Sequence, residues 1–141
     1  MRCVARSMKM GLYCMSDPRV DPYFNARRAL AQLESFVHQS RGNDMDRAAV
    51  IQAFEFTFET FWKAFKKIVE AQGQAAPFPR VAIAGAFQLG VIDDENTWLD
   101  MIQDRNQTSH TYNESISKAI YTNITSHYVN AFQRVVTTAS C

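Results

Sequence analysis

The sequence predicts an all-α fold, an up-down antiparallel helical bundle of four main helices and one short helix. Apolar residues recur every three or four positions over long segments, which is the period of an amphipathic helix. No segment alternates apolar and polar residues as a half-buried strand does. The expected connections have about two to eight residues, a length that joins antiparallel neighbours in helical bundles.

Composition indicates a single globular domain. The chain has 141 residues, of which 47% are hydrophobic and 21% are charged, so it can bury a core without disulfide bonds or metals. Its net charge of +1 means that any site for an anion must be local. No apolar run is long enough for a transmembrane helix, and the first residues lack the continuous apolar segment of a signal peptide. We therefore expect a cytoplasmic protein without a membrane partner.

The N-terminal residues differ from the rest of the chain because they have no clean helical period. We assign residues 1–22 to an N-terminal arm and residues 23–141 to the bundle domain. The arm is either a short native segment or an upstream extension, with Met15 as the biological start. The cysteines lie near the two ends and are expected to be reduced thiols rather than a disulfide framework or a zinc site.

The first two helices carry the clearest apolar periods. The first is expected over about Tyr23–Gln39 and the second over about Asp46–Gln72. The second should form the centre of the core, because its apolar residues stay on one face: Ile51, Phe54, Phe58, Phe61, Phe65 and Ile68.

A second stripe on the same helix is polar and aromatic, and contains Glu55, Glu59, Trp62 and Lys66. Glu59 and Lys63 have the spacing of an exposed ion pair. The stripe is interpreted either as a solvated flank or as the mouth of a cleft. In the second interpretation, Glu55 or Glu59 orients a catalytic side chain, and Trp62 supports an interface between two chains.

The remaining helices follow shorter connections. A short helix is expected over about Arg80–Leu89, and Asp93 or Asp94 caps the next helix, which ends at Arg105. The last helix is expected from Tyr112 to about Val136. His127 lies on its apolar face and is interpreted as a core histidine rather than a ligand.

The junction between the last two helices concentrates chemically active side chains. A permanent cation, an imidazole and a phenol lie within eight residues, at Arg105, His110 and Tyr112. Thr111 and Glu114 have the spacing of a capping box, which would make Tyr112 the first helical residue. A helix N-terminus beside an arginine favours an anion, so the junction is a candidate site for a phosphate.

Histidine and arginine together suit the cleavage of RNA without a metal ion. Histidine exchanges protons near neutral pH, and arginine stays charged and offers a planar fork that fits phosphate oxygens. His110 would move a proton, and Arg105 would stabilise the charged transition state. The sequence contains no glycine-rich phosphate loop and no paired-carboxylate metal motif, so we expect no cofactor and no bound metal.

The motif Arg105-x4-His110-x-Tyr112 resembles the signature of HEPN domains, in the branch of nucleotidyltransferase substrate-binding proteins. The resemblance extends over roughly residues 23–136 and includes residues 54–63, residues 86–92 and Trp98. In that family two domains pair with their motifs facing, which implies a homodimer here. In the toxin branch, the tyrosine of the motif accepts AMP from a partner nucleotidyltransferase.

The resemblance implies the toxin of a HEPN/MNT toxin–antitoxin pair, a metal-independent endoribonuclease whose partners are RNA and a cognate minimal nucleotidyltransferase. Arg105 and His110 are the expected catalytic residues, and Tyr112 is the expected site of adenylylation. The expected cleft-supporting residues are Glu55, Glu59, Asn106 and Thr108. The alternative is a non-catalytic substrate-binding subunit of a two-component nucleotidyltransferase. A third possibility is a helical dimer that uses the motif only to cap a helix.

Overall fold

A computed structural model describes residues 21–139, and the chain in this range is helical, without strands. The helices are α1 Phe24–Gln39, α2 Asp44–Ala71, α3 Pro79–Gln88, α4 Glu95–Asn106, α5 Glu114–Asn123 and α6 Val129–Ala139. The predicted all-α fold is confirmed, and α3 is the predicted short helix. The predicted last helix is not continuous, because a π-helical turn divides it into α5 and α6. Residues 1–20, which include Met15 and most of the predicted arm, lie outside the described residues, as do the three cysteines.

The centre of the core is α2, as the sequence predicts. Its apolar face is fully buried at the four aligned rings Phe54, Phe58, Phe61 and Phe65. Phe61 stacks on Phe132 of α6 with 4.7 Å between ring centroids, and Phe65 meets Trp98 of α4 edge-on at 4.9 Å. Each buried ring contributes about 1.5–3 kcal/mol, so α2 holds the helices on both sides of it.

Trp62 belongs to this core. Its side chain is 9% exposed and packs in the same cluster as the buried phenylalanines. The prediction that Trp62 supports an interface between chains is therefore wrong. The reason is that α1, α3 and α5 all pack against α2, so its buried face is wider than one stripe.

Two of the helix ends follow the sequence signals. Asp94 caps α4, because its carboxylate accepts a hydrogen bond from the Thr97 backbone N–H at 3.2 Å. Gly90, just past α3, has a φ of 77°, which glycine adopts without strain. Within α3, a Cβ atom at Gly85 would lie 2.7 Å from a Val69 methyl group, so glycine allows α3 to approach α2 closely.

The start of α5 differs from the prediction. Its N-cap is Asn113, whose side-chain oxygen accepts from the backbone N–H groups of Ser115 and Ile116. The Thr111 hydroxyl instead donates to the Thr108 carbonyl at 3.0 Å, within a 3₁₀ turn over Thr108–His110. The predicted capping box is wrong because Asn113 provides the cap and the 3₁₀ turn uses the threonine.

A π-helical turn at Ile124–Tyr128 joins α5 to α6. Tyr128 enters the core there and stacks on Phe54, with 5.3 Å between ring centroids. His127 is exposed to solvent, so its predicted place in the core is wrong. The wider turn puts the larger apolar ring inside and the imidazole outside.

No helix within residues 21–139 is both long enough and apolar enough to cross a membrane.

Candidate functional site

The partly exposed flank of α2 supplies two carboxylates, one turn apart, to the junction between α4 and α5, which contains Arg105, His110 and Tyr112. Glu59 Oε1 accepts a hydrogen bond from Arg105 Nη2 at 3.0 Å, and its other oxygen lies 3.3 Å from Lys63 Nζ. The Arg105 side chain is 38% exposed and that of Glu59 is 32% exposed, so water screens the pair. The contact fixes the direction of the guanidinium rather than adding much stability.

Glu55, one turn earlier, holds the 3₁₀ turn. The Thr108 hydroxyl lies 2.5 Å from Glu55 Oε2 and 2.8 Å from the Arg105 backbone carbonyl, and it can donate to either acceptor. The side chain of Thr108 therefore lies between α2 and the end of α4, within hydrogen-bond distance of both. The backbone of the junction is fixed although its outer surface is exposed.

His110 ends the 3₁₀ turn and its side chain is exposed. Its backbone N–H donates to the Gln107 carbonyl at 2.9 Å, and its own carbonyl accepts from Asn113 at 3.0 Å. Among the described residues, no side chain hydrogen-bonds its imidazole. Glu59 contacts Arg105 and Glu55 contacts Thr108, and neither carboxylate orients the histidine.

Tyr112 lies in the turn between His110 and α5. Its side chain is 85% exposed, and its ring centroid is 6.1 Å from that of His110, with the rings nearly perpendicular. The imidazole and the phenol are thus neighbours on one open surface. Asn106 is also exposed, at the last position of α4, and within residues 21–139 its side chain has no hydrogen-bond partner.

Two residues that the sequence reasoning did not single out secure the ends of the junction. Asp104 Oδ2 accepts from the Tyr128 hydroxyl at 2.6 Å and from Asn123 Nδ2 at 2.8 Å. Burial and, next, the hydrogen bond to Asp104 raise the pKa of Tyr128 above its ordinary value. Asp104 precedes Arg105, so this contact joins the end of α4 to the π turn.

Arg47 secures the other end. Its side chain is 8% exposed, donates to the Gly42 carbonyl at 2.5 Å and to Asp44, and lies 3.9 Å from Glu114. The hydrogen bond from Lys118 and its charge lower the pKa of Glu114. Arg47 lies one turn before Val50 and Ile51 on the buried face of α2. A charged residue at such a position is the sequence signal that could have identified it.

The junction can bind an anion through Arg105. Glu59 engages one guanidinium nitrogen, and a guanidinium carries five N–H donors in a fork that matches phosphate oxygens. His110 follows five residues later in the chain, and its exposed imidazole is open to a ligand. Across residues 21–139, no three His, Cys, Asp or Glu side chains are grouped closely enough to hold a metal ion.

The fold and the site together define a class of protein, a helical bundle with an Arg-His-Tyr motif in the connection between α4 and α5. A family model described as nucleotidyltransferase substrate binding protein like matches residues 21–140. The chain is also similar to a protein from Thermus thermophilus, known from its crystal structure, at 32% identity and a TM-score of 0.73. That match covers 81% of this chain and 98% of the other. No curated protein matches the chain. The chain belongs to the nucleotidyltransferase substrate-binding-protein-like family.

Proposed function

We propose that the protein is a HEPN-type toxin, a metal-independent endoribonuclease that a cognate minimal nucleotidyltransferase neutralises by adenylylating Tyr112. The observation that carries the proposal is the junction itself. Arg105 is fixed by Glu59 yet partly open to solvent, and His110 and Tyr112 stand exposed a few residues further on. A cation, a proton carrier and an acceptor hydroxyl therefore occur within one short connection, and the last two lie 6.1 Å apart between ring centroids.

The cleavage uses the 2′-hydroxyl of the RNA as nucleophile. Its oxygen attacks the adjacent phosphorus while the bond from phosphorus to the 5′ oxygen breaks, leaving a cyclic phosphate and a 5′-hydroxyl. A neutral imidazole takes the 2′-hydroxyl proton, and an imidazolium gives a proton to the departing oxygen. Arg105 stabilises the extra negative charge on the phosphoryl oxygens.

One histidine cannot conveniently perform both proton transfers in a single event. The sequence has two other histidines, His38 and His127, and neither lies in the junction. We therefore place the second histidine on a second copy of this chain, so that two His110 and two Arg105 side chains face each other across a dimer. The exposed imidazole is in keeping with such a composite site.

Neutralisation would act directly on this surface. In the transfer, the Tyr112 oxygen attacks the α-phosphorus of ATP bound by the nucleotidyltransferase, loses its proton, and releases pyrophosphate. The new phosphodiester is negatively charged, so it would compete with the RNA phosphate for Arg105. The 85% exposure of Tyr112 gives a partner enzyme free access to the phenol.

The alternative is a non-catalytic subunit that presents a substrate to the nucleotidyltransferase. The description of the matching family favours it directly. The absence of an orienting partner for His110 within the described residues favours it as well. Under this alternative, Arg105 would bind the phosphate of the presented substrate and nothing would be cleaved.

The deciding experiment compares two exposed histidines. Purified wild-type protein, His110→Ala and His127→Ala are incubated with labelled single-stranded RNA in EDTA. We expect wild type and His127→Ala to cut the RNA equally, and His110→Ala to lose about a hundredfold or more of the rate. Equal cutting by His110→Ala would assign the activity to a contaminant, and no cutting by wild type would support the substrate-binding alternative.

A further inference from the structure

A groove between α1 and α2 gathers cations although the whole chain carries a net charge of only +1. Arg28 enters it from α1, and Lys63 and Lys67 enter it from α2. Glu59 is its one acidic lining residue among those described, and that carboxylate is already engaged by Arg105 and Lys63. The groove therefore presents a local positive surface.

The same groove contains an exposed aromatic ring. Phe56 is 59% exposed and lines the groove at the α2 wall, together with Thr60, Lys63 and Lys67. These positions are four, three and four residues apart, so they form one stripe along α2, about 16 Å long. Polar side chains of α1, Asn25 and Gln32, line the opposite wall.

The groove adjoins the candidate site. Glu59 lines the groove and at the same time bonds Arg105, and Phe56 lies between Glu55 and Glu59 in the sequence. Since Glu55 holds Thr108, the end of the groove that contains Phe56 is the end nearest the junction. A ligand lying along α2 would thus extend from Lys67 and Lys63 towards Arg105.

We propose that this groove binds single-stranded RNA, with the base of one nucleotide stacked on Phe56 and the backbone phosphates against Arg28 and Lys67. The proposal deepens the ribonuclease function above and rests on it for the identity of the ligand. A basic groove with an aromatic platform is the combination that single-stranded nucleic acids require. Stacking on an aromatic ring is tolerant of sequence, so this groove supplies affinity and register rather than recognition of particular bases.

The charges of the groove favour this occupant over others. Among residues 21–139, no carboxylate forms an ion pair with Arg28 or Lys67. The Arg28 guanidinium lies 5.8 Å from the centroid of the Phe24 ring, a contact that leaves its charge uncompensated. The N-terminal sequence carries four basic residues and one acidic residue over positions 1–20, so it offers little complementary charge. A phosphate backbone supplies one negative charge per nucleotide along the whole length of the groove.

The test measures binding without cleavage. A labelled 2′-O-methyl oligonucleotide has no nucleophilic hydroxyl, so it cannot be cut, and its affinity is read by fluorescence anisotropy. We expect Phe56→Ala to weaken binding about fivefold or more. The matched control is Phe78→Ala, since Phe78 is 65% exposed and lies outside the groove; its affinity should equal that of wild type.

A second pair of variants tests the cations. Lys67→Ala should weaken binding, and it should lower the dependence of log affinity on log salt concentration by about 0.7–1 for the one phosphate that the lysine neutralises. Arg80→Ala, another exposed cation outside the groove, should leave both quantities unchanged. Circular dichroism spectra and thermal melting temperatures of all four variants are compared to confirm that each is folded.

The outcomes separate this proposal from the proposed function. Absence of oligonucleotide binding, or equal effects of Phe56→Ala and Phe78→Ala, overturns the groove proposal even where RNA is still cut in EDTA. Binding that depends on Phe56 and Lys67, without any cutting, supports the groove and overturns the ribonuclease. If Phe56→Ala instead converts a dimer to a monomer, or abolishes only the binding of the nucleotidyltransferase, the groove is a protein interface and the RNA proposal fails.

Discussion

Arg105 donates a hydrogen bond to Glu59 across α4 and α2, with 3.0 Å between Nη2 and Oε1, although 46 positions separate the two residues in the chain. The pair lies at the edge of the bundle and is partly exposed. Its effect is to aim a cation that would otherwise sample many rotamers. The candidate site is therefore anchored on the most deeply packed helix of the protein.

Glu59→Gln should lower ribonuclease activity more than it lowers stability. Without the carboxylate, Arg105 loses the ionic contact that directs it, and loss of position alone can reduce a rate about ten- to a hundredfold. The free energy of unfolding should change by less than about 1 kcal/mol, because the pair is screened by water. The measurements are cleavage rates and urea denaturation.

The control for this change is Glu70→Gln, which breaks the exposed pair between Glu70 and Lys66 at 2.8 Å on the same helix. Its activity should match wild type. Equal losses of activity in both variants would mean that Glu59 has no specific part in directing Arg105.

The composite site requires two chains. Sedimentation velocity should show a dimer at micromolar concentration, because a monomer offers only one His110 for two proton transfers. A second measurement mixes wild type with an excess of His110→Ala, which should reduce activity below the value expected from dilution as mixed dimers form. A strict monomer with full ribonuclease activity would contradict the proposed mechanism.

Tyr112 should be the site of AMP transfer when the protein is co-expressed with its cognate nucleotidyltransferase. The phenol is accessible, and Arg105 would stabilise the added phosphate through charge-assisted hydrogen bonds. Intact-mass analysis should show one or more AMP additions, which peptide mapping places on Tyr112. Modified protein should no longer cut RNA.

Two variants control this experiment. Tyr112→Phe should accept no AMP and remain an active ribonuclease, since a phenol is not needed as an acid or base at neutral pH. Tyr121→Phe should still accept AMP on Tyr112. The Tyr121 hydroxyl already pairs with Ser40 at 2.7 Å and is not the expected acceptor. A lasting complex of the two proteins without any added mass would favour the substrate-binding alternative.

Tyr128 should make the protein sensitive to alkaline pH. Burial, followed by the bond to Asp104, raises the pKa of Tyr128 in the folded state, so the folded state keeps the proton more tightly than the unfolded chain does. The stabilisation is complete below the unfolded pKa of about 10 and is lost as pH rises above it. Urea denaturation from about pH 8 to about pH 11 should show this loss.

Tyr128→Phe should remove most of that alkaline dependence. At neutral pH it should lower the free energy of unfolding by about 1 kcal/mol, because the ring still stacks on Phe54 and only the hydrogen bond to Asp104 is removed. An unchanged alkaline slope in Tyr128→Phe would assign the pH dependence to other groups.

The fold could be predicted because its strongest signals are local. The spacing of Phe54, Phe58, Phe61 and Phe65 requires a helix whose apolar face is buried, and Asp94 is a strong N-cap wherever a helix follows. These signals depend on residues three or four positions apart. They predict the same helices in any tertiary arrangement that buries the apolar face of α2.

The residue at which α5 begins could not be predicted from local spacing in the same way. The spacing of Thr111 and Glu114 predicted the cap of α5, but Asn113 is also a residue type that caps helices, and the choice between the two depends on what else each side chain can bond. In the folded protein the 3₁₀ turn engages Thr111, and α5 begins after Asn113. The same limit applies to the π turn, where the packing of Tyr128 against Phe54 decided which residue faces the core.

The sequence alone determined the all-α class, the central place of α2, and the presence of Arg105, His110 and Tyr112 within one short connection. Periodicity and proximity along the chain carry that information. Only the tertiary structure decided that Glu59 pairs with Arg105, that Glu55 holds Thr108, and that Trp62 lies in the core. Those contacts join residues far apart in the chain, and the packing of whole helices against one another sets which side chains meet.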